Sequence, residues 1–383
     1  MLVSVASSLL AQWSIDGFVE LDLTESGEHS HFFYNGINED RTGWSGGLAG
    51  AAIYTGYETG NLSFNLQQSG YRYLGKHQLK YRIEQLNLTY RISENHELSI
   101  GRVINGFGSF YNQPFSHNRT FLLTPLSYAH YVNASTYLGL QQGLGENGYI
   151  SNGTTDWGSP TNYQFAYVNG LKWYSTWGDG RWNSDVNVGF VRFNSGLSKD
   201  QNFQVSGRLS MDVNWSFYQG LSFRYVRFGP SSDGEYEELS ISQKGFHQFQ
   251  LAYDFTWGFS FFEVTSELIW SNYGLPLHNG TIGGYAITGN TVPNQSASST
   301  SLYIDITYEP PFLSGSFIGL RSESLSFSEI NGQSWDRDVD RHNVVIGYKI
   351  SPNLLFRIQW INQEIQGRTW DQDVFQLAIT AHL

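Results

Sequence analysis

The chain has 383 residues, of which 16% are aromatic and 41 are glycine, yet only 15% are charged, against about 25% in soluble domains. Its net charge of −12 argues against a sequence-independent nucleic-acid binder, since neutralising phosphate takes an excess of Lys and Arg. With no cysteine there are no disulfides, thiolate metal sites or cysteine nucleophiles, and no run of about 20 apolar residues is present to form a membrane helix.

Residues 1–11, MLVSVASSLLA, form the longest apolar stretch and end on a small residue. They are read as the remnant of an export signal, with an internal plug or short helix as the other reading. Residues 12–383 are read as one domain. Its organising signal is period-two alternation over segments of about ten residues, separated by turn residues. Phe249, Leu251, Tyr253 and Phe255 alternate with Gln248, Gln250 and Asp254. Leu302, Ile304, Ile306 and Tyr308 alternate with Tyr303, Asp305, Thr307 and Glu309. At the C-terminus Phe375, Leu377, Ile379, Ala381 and Leu383 share one face.

Strands are predicted at 12–24, 43–57, 60–72, 80–92, 96–104, 163–177, 183–194 and 202–214, and then at 219–229, 244–256, 258–272, 299–310, 314–327, 338–350, 353–365 and 371–383. A large β-sandwich or a propeller would show the same alternation. Connection lengths separate them from a membrane barrel. Short turns at Ser351-Pro352-Asn353, Glu309 to Ser314, Trp257-Gly258 and Ser216 to Gly220 alternate with long polar loops at 366–371, 328–338, 273–298 and 230–243. Outer-membrane barrels have this asymmetry, with short periplasmic turns and long external loops. The predicted fold is therefore all-β, a transmembrane antiparallel barrel of about 16 strands with both termini periplasmic. Trp13, Trp44, Trp177, Trp215, Trp257, Trp270 and Trp360 fall near strand ends, where half-wet rings favour the headgroup interface.

The longest non-repetitive stretch is 105–162, the third external connection, with a further strand or short helix expected around Tyr137 to Leu140. Structureless segments of this length are usually functional. Just before it, residues 84–108, EQLNLTYRISENHELSIGRVINGFG, resemble the strand-turn-strand-loop of the broad porin group that includes the phosphate-selective porins. Gly101-Arg102 and Phe107-Gly108 match, while Gly106 stands where that group has Pro and Val103 where it has Phe. Residues 204–215, 249–270, 301–310 and 344–363 resemble later hairpins of such porins, so the likeness covers most of the chain from about residue 80.

The resemblance implies a passive diffusion channel of the bacterial outer membrane, in contact with outer-membrane lipid and lipopolysaccharide, without cofactor, and a homotrimer. It also implies that the third external loop folds into the lumen, with Arg102, Phe107, Tyr111, His117, Arg119, Tyr128 and His130 at the pore constriction. Phosphate selectivity does not carry over, because 105–162 offers only Arg119 as a basic residue, with His117 and His130 as helpers. Small hydrophilic solutes, neutral or weakly cationic and including sugars, fit the Tyr, Trp and Asn content of the loop better. The competing reading is that those aromatics only pack the loop against the wall.

Sorting ionisable residues by the alternation places Arg91, Arg208, Arg224, Arg321, Lys349 and Arg357 on the lumen side. Asp16, Glu20, Asp22, Asp212, Asp254, Glu263, Glu267, Asp305 and Glu309 join them. Arg192 and Arg227 fall on the outward face near strand ends. His29 and His31, beside Glu28, Glu39 and Asp40, are read as a solvated loop, because two histidines without a third spaced ligand are a weak metal signal. Asp336, Asp338 and Asp340 with Arg337 and Arg341 are read as the solvated start of a strand, since no Ca²⁺-loop spacing accompanies them. His247, His342 and His382 are read as interfacial polar residues. No catalytic constellation stands out; a barrel hydrolase and a closed structural or adhesive barrel are the alternatives to a pore.

Overall fold

A computed structural model describes residues 12–34, 37–72, 79–110, 119–129, 134–135, 139–140, 167–190, 203–227, 247–274, 281–282, 285–286, 296–330, 333–334, 338–366 and 373–382. Sixteen antiparallel strands form one closed barrel in which each pairs with its neighbours in sequence. They are β1 (Gln12–Tyr34), β2 (Ile37–Thr59), β3 (Leu62–Arg72), β4 (Leu79–Ser93), β5 (His96–Ile104), β6 (Tyr167–Trp177), β7 (Trp182–Phe190) and β8 (Phe203–Asn214). The second half comprises β9 (Phe217–Arg227), β10 (His247–Phe259), β11 (Phe262–Gly274), β12 (Ser296–Tyr308), β13 (Ser316–Phe327), β14 (Val339–Ser351), β15 (Leu354–Ile365) and β16 (Asp373–His382). Closure is made by β1 on β16, from Phe18 opposite His382 to Ser26 opposite Val374.

Side-chain chemistry explains why the sheet closes this way round. On β9, Leu221, Phe223 and Tyr225 are exposed, whereas Ser222 and Arg224 between them are buried. The same inversion runs along β10, where Leu251 and Tyr253 face out and Gln250 and Asp254 face in. A water-soluble barrel would bury the first set. An apolar outer belt on a closed ladder, whose backbone polar groups are all paired between strands, is the arrangement that hydrocarbon permits. Aromatic rings mark the short-turn rim: Trp13 packs on Tyr57 at 4.7 Å, Trp177 stacks on Trp182 at 6.5 Å, and Trp257 lies 5.9 Å from Phe259.

Turns at 60–61, 94–95, 178–181, 215–216, 260–261, 309–315 and 352–353 occupy that rim, and the longer connections occupy the other. Three predicted boundaries are corrected. β1 and β2 run on to Tyr34 and from Ile37, with Ser30 opposite Arg41 and Tyr34 opposite Ile37, so most of the expected first loop is ladder. Above a membrane a ladder needs no apolar face, and the alternation that signals a strand disappears. Between β10 and β11 the turn is Ser260-Phe261 instead of Trp257-Gly258, which pair with Val264 and Glu263. Between β8 and β9 it is Trp215-Ser216, closed by Asn214 Oδ1 accepting from the Ser216 amide at 2.9 Å.

Short ladders also join 134–135 to 139–140, 281–282 to 285–286, and 329–330 to 333–334; the first overlaps the element expected around Tyr137 to Leu140. A single helical turn, α1 (Leu126–Ala129), lies within the long connection between β5 and β6. Three apolar clusters on the inner side each join that connection to the wall. Phe107, Phe110 and Tyr128 pack with Ala252, Ile269 and Tyr303. Phe121 packs with Phe317 and Val345, and Leu123 with Ile361 and Val374.

Candidate functional site

The segment that leaves β5 is shaped first by two glycines. Gly101 has φ of 127°, and a Cβ there would lie 2.3 Å from the Leu86 carbonyl oxygen. Gly108 has φ of 78°, and a Cβ there would lie 1.9 Å from the Tyr128 hydroxyl. Both positions therefore need Gly for conformation and for space. Between them the chain turns from the wall onto the inward side chains of the opposite strands.

Arg102 does not accompany that turn. It stands opposite Leu86 and Asn169, and Leu86 is exposed on the outer face, so the register puts Arg102 on the outward parity of β5. Its Nε donates to the Glu84 carbonyl at 2.9 Å and its guanidinium lies 5.1 Å from the Tyr167 ring. The Gly-Arg pattern suggested a place at the constriction; the unbroken ladder instead keeps Arg102 on the same face as the exposed Leu98 and Ile100.

Residues 105–110 form the first fastened stretch. Ser206 donates to the Asn105 side chain, and the Gly108 amide donates to Ser222 Oγ at 3.1 Å. Glu267 of β11 collects the rest: the Ser109 amide at 2.9 Å, the Ser109 hydroxyl at 3.1 Å, and the Tyr128 hydroxyl at 2.8 Å to both carboxylate oxygens. Tyr303 meets Ser109 Oγ at 2.8 Å. Burial, and then the Glu267 charge, hold the Tyr128 phenol well above the ordinary tyrosine range, so it stays a donor.

Residues 119–126 form the second stretch, held by arginines on three successive strands. Arg357 of β15 donates to the Arg119 carbonyl at 2.9 Å and to Glu20 at 2.6 Å. Arg321 of β13 donates to the Leu123 carbonyl at 2.9 Å, grips both oxygens of Asp305 at 2.6 Å, and lies 4.2 Å from the Phe121 ring. Arg341 of β14 donates to the Thr124 carbonyl at 2.5 Å and to Glu323 at 2.8 and 2.9 Å. Glu323 also accepts from the Leu126 amide at 2.5 Å and from Asn343 at 2.8 Å. Gln359 accepts from the Leu122 amide at 2.7 Å.

Buried ion pairs hold only where further hydrogen bonds saturate both partners. Here each guanidinium group donates to a carbonyl of residues 119–124 as well as to its carboxylate, and Glu323 takes the Leu126 amide, while Arg341 Nη1 remains buried without a hydrogen-bond partner. Two more pairs complete the inner wall. Arg208 grips Asp254, and Lys172 meets Asp185 at 2.5 Å. Arg224 donates to Gln204 at 3.0 Å and Gln250 at 2.5 Å.

Of the predicted residues, Phe107, Arg119 and Tyr128 thus come together with Glu20, Asp305, Arg321, Arg357 and Glu267. Asp16, Glu263 and Lys349 lie exposed toward the short-turn rim. Arg91 is there too, meeting Glu97 at 3.4 Å and Glu58 at 3.5 Å. Tyr111, His117, His130 and Arg192 lie outside the described residues, as do the side chains of His29 and His31. Arg341 is corrected: the sequence suggested a solvated strand start, but it is fully buried against Glu323. Glu323, Asn343 and Gln359 were missed. The parity of Val339 and Val345, both buried on β14, would have placed Arg341 and Asn343 inside. Among the described residues no three His, Asp or Glu side chains converge to hold a metal ion.

No family model matches the chain, and no curated protein matches it in sequence. Solved structures do share the fold. An anion-selective porin from Comamonas acidovorans superposes with a TM-score of 0.61 at 9% identity, over 98% of this chain and 100% of that one. The outer membrane channel DcaP of Acinetobacter baumannii gives 0.60 at 11% identity over 97% of each chain. OmpF of Salmonella typhi, in complex with daunomycin, gives 0.58 at 13% identity, again over 97% of each. The closed sixteen-strand barrel, with its alternating wet and apolar faces, is the fold of these outer-membrane channels and porins.

Proposed function

We propose that the chain is an outer-membrane porin through which small hydrophilic solutes diffuse passively. The observation that carries this reading is the inverted barrel itself: a polar, charge-paired inner wall enclosed by an apolar belt. A sheet with that distribution separates an aqueous interior from lipid. In this reading 105–162 is the constriction loop, with Phe107, Arg119 and Tyr128 at its described core. Its place is the bacterial outer membrane among lipid and lipopolysaccharide, and its assembly a homotrimer of the broad group that includes the phosphate-selective porins.

Neutral or weakly cationic solutes, sugars included, are the favoured cargo. The wall arginines Arg321, Arg341 and Arg357 each face a carboxylate and a loop carbonyl, which leaves little positive potential to attract anions. Planar-bilayer recording of the purified protein tests the reading. Stepwise currents with a cation-preferring zero-current potential in a salt gradient are expected, and liposomes carrying the protein should swell in neutral sugars. An absence of current would favour a closed barrel. Gel mobility before and after boiling tests the trimer.

A further inference from the structure

Matched positions on the inner wall differ in exposure from one side of the barrel to the other. Five residues in from the short-turn ends of their strands, Asp254 and Arg321 are buried, whereas Tyr54 and Lys172 are half-buried. Three residues in the contrast is partial: Arg357 has no exposed surface and Asn65, Ser99 and Tyr174 keep part of theirs, but so do Thr256, Thr265 and Asp305. The cause is visible in the contacts above: residues 105–110 and 119–129 are fastened to β8 through β16 and leave the β2–β6 side more open toward the short-turn rim.

On that side one stretch of the β3–β4 wall is buried, where Gln67, opposite Tyr54, and Asn87, opposite Asn65, lie together with Glu84. Gln67 opposes Gln85, and the register then slips so that Gln68 opposes Ile83. Glu84 is the extra residue of this bulge, and bulges re-aim a side chain. One of its oxygens takes the Ser69 hydroxyl at 2.7 Å. The other, Oε2, is buried without a hydrogen-bond partner, as is Gln67 Nε2 on the adjacent strand. A buried acceptor and a buried donor left open on neighbouring strands are costly unless groups that donate and accept meet them. By contrast, no Lys or Arg is paired with Glu84 among the described residues.

We propose that solute crosses on the β2–β6 side of the lumen and passes along the wall at Glu84 and Gln67, which select solutes bearing an O–H or N–H donor beside an oxygen acceptor. Glu84 accepts from the donor and Gln67 Nε2 donates to the acceptor, while the negative carboxylate disfavours anions. The proposal rests on the porin reading and adds to it a side, a stretch of wall and a recognition chemistry.

The chain contains no cysteine, so single cysteines can be placed on a clean background. Ser99→Cys, Tyr174→Cys and Gln67→Cys probe the more open side; Ser271→Cys and Ser301→Cys probe the covered one. Each is reconstituted in a planar bilayer and treated with a trimethylammonium methanethiosulfonate. Stepwise loss of single-channel conductance is expected for the first three and none for the last two. Loss at Ser301→Cys without loss at Ser99→Cys, or the same response on both sides, overturns the path. Glu84→Gln should move the zero-current potential in a salt gradient toward zero, and an unchanged potential overturns the role of Glu84. No current from the unmodified protein would instead remove the porin reading, and the path with it.

Discussion

Tyr128 donates to both carboxylate oxygens of Glu267 at 2.8 Å, and the same carboxylate accepts the Ser109 amide and hydroxyl. One wall side chain therefore ties together the two fastened stretches of the β5–β6 connection. Phe110 stacks 5.2 Å from the Tyr128 ring, and the Arg119 guanidinium lies 5.4 Å from Phe110, so the tie is apolar as well as polar. Glu267→Ala should leave the Ser109 amide and Tyr128 hydroxyl without an acceptor, at about 1–3 kcal/mol for each buried group. Urea unfolding from detergent micelles should show that loss, and open-channel current noise should rise. Glu267→Gln keeps an acceptor oxygen and should fall between the two; equal noise in all three proteins would count against the tie.

Gly108 and Tyr128 offer a compensating pair. Gly108→Ala places a methyl group 1.9 Å from the Tyr128 hydroxyl oxygen at a φ of 78°, and such strain with overpacking costs on the order of 1–3 kcal/mol. Removing that oxygen in Tyr128→Phe should relieve the clash with the hydroxyl and leave the 2.5 Å approach to Glu267 Oε1 and the backbone part. In a double-mutant cycle read by thermal unfolding, the two substitutions should therefore cost less together than the sum of their separate effects.

Glu323 and Arg341 should be coupled more strongly. Each is completely buried, and removing one member of a buried pair strands the other at about 3–5 kcal/mol. Glu323→Gln and Arg341→Met are expected to be severe singly and less than additive together. Strict additivity would mean that the pair does not act as a unit.

Lipid exposure can be tested on β12. Ile304, between Leu302 and Ile306 on the outer face, is exposed, so Ile304→Arg should lower stability in vesicles by about 2–4 kcal/mol, as Arg at mid-bilayer does. Thr307→Arg, whose side chain faces inward opposite Glu263, should fold into vesicles as well as the parent protein. Equal folding of the two variants would contradict the assigned faces.

These residues also show what the sequence makes legible and what it hides. Period-two alternation is a direct consequence of the pleat, so Leu251 against Gln250 or Ile304 against Asp305 could be assigned to faces without a structure. Where the pressure for alternation lapses, so does the reading: the sequence of the upper halves of β1 and β2 shows no regular wet-and-apolar alternation and looked like loop. Local turn signals misled at Trp257-Gly258, where the glycine is a ladder position. The site was less legible than the fold, because its contacts join residues far apart in sequence. Glu267 lies 158 positions from Ser109 and Arg341 lies 217 from Thr124. Arg102 failed for a different reason: plain alternation puts it on the face of Leu98 and Ile100, against the place the Gly-Arg pattern suggested.

Asp16 is exposed on the inward side of β1 opposite Tyr54, and its carboxylate accepts only the neighbouring Gly17 amide at 2.6 Å among the contacts described. A unit charge about 4 Å from a passing ion in water is worth about 1 kcal/mol, or about fivefold in the permeability of that ion. The cation is favoured and the anion disfavoured by that factor each, so Asp16→Asn should lower the cation-to-anion permeability ratio up to about 25-fold in dilute salt, and Asp16→Lys should lower it further. At 1 M salt, where the screening length is only about 3 Å, the parent and both variants should converge. That convergence separates a charge effect from a structural one: a substitution that had reshaped the barrel would alter conductance at every ionic strength.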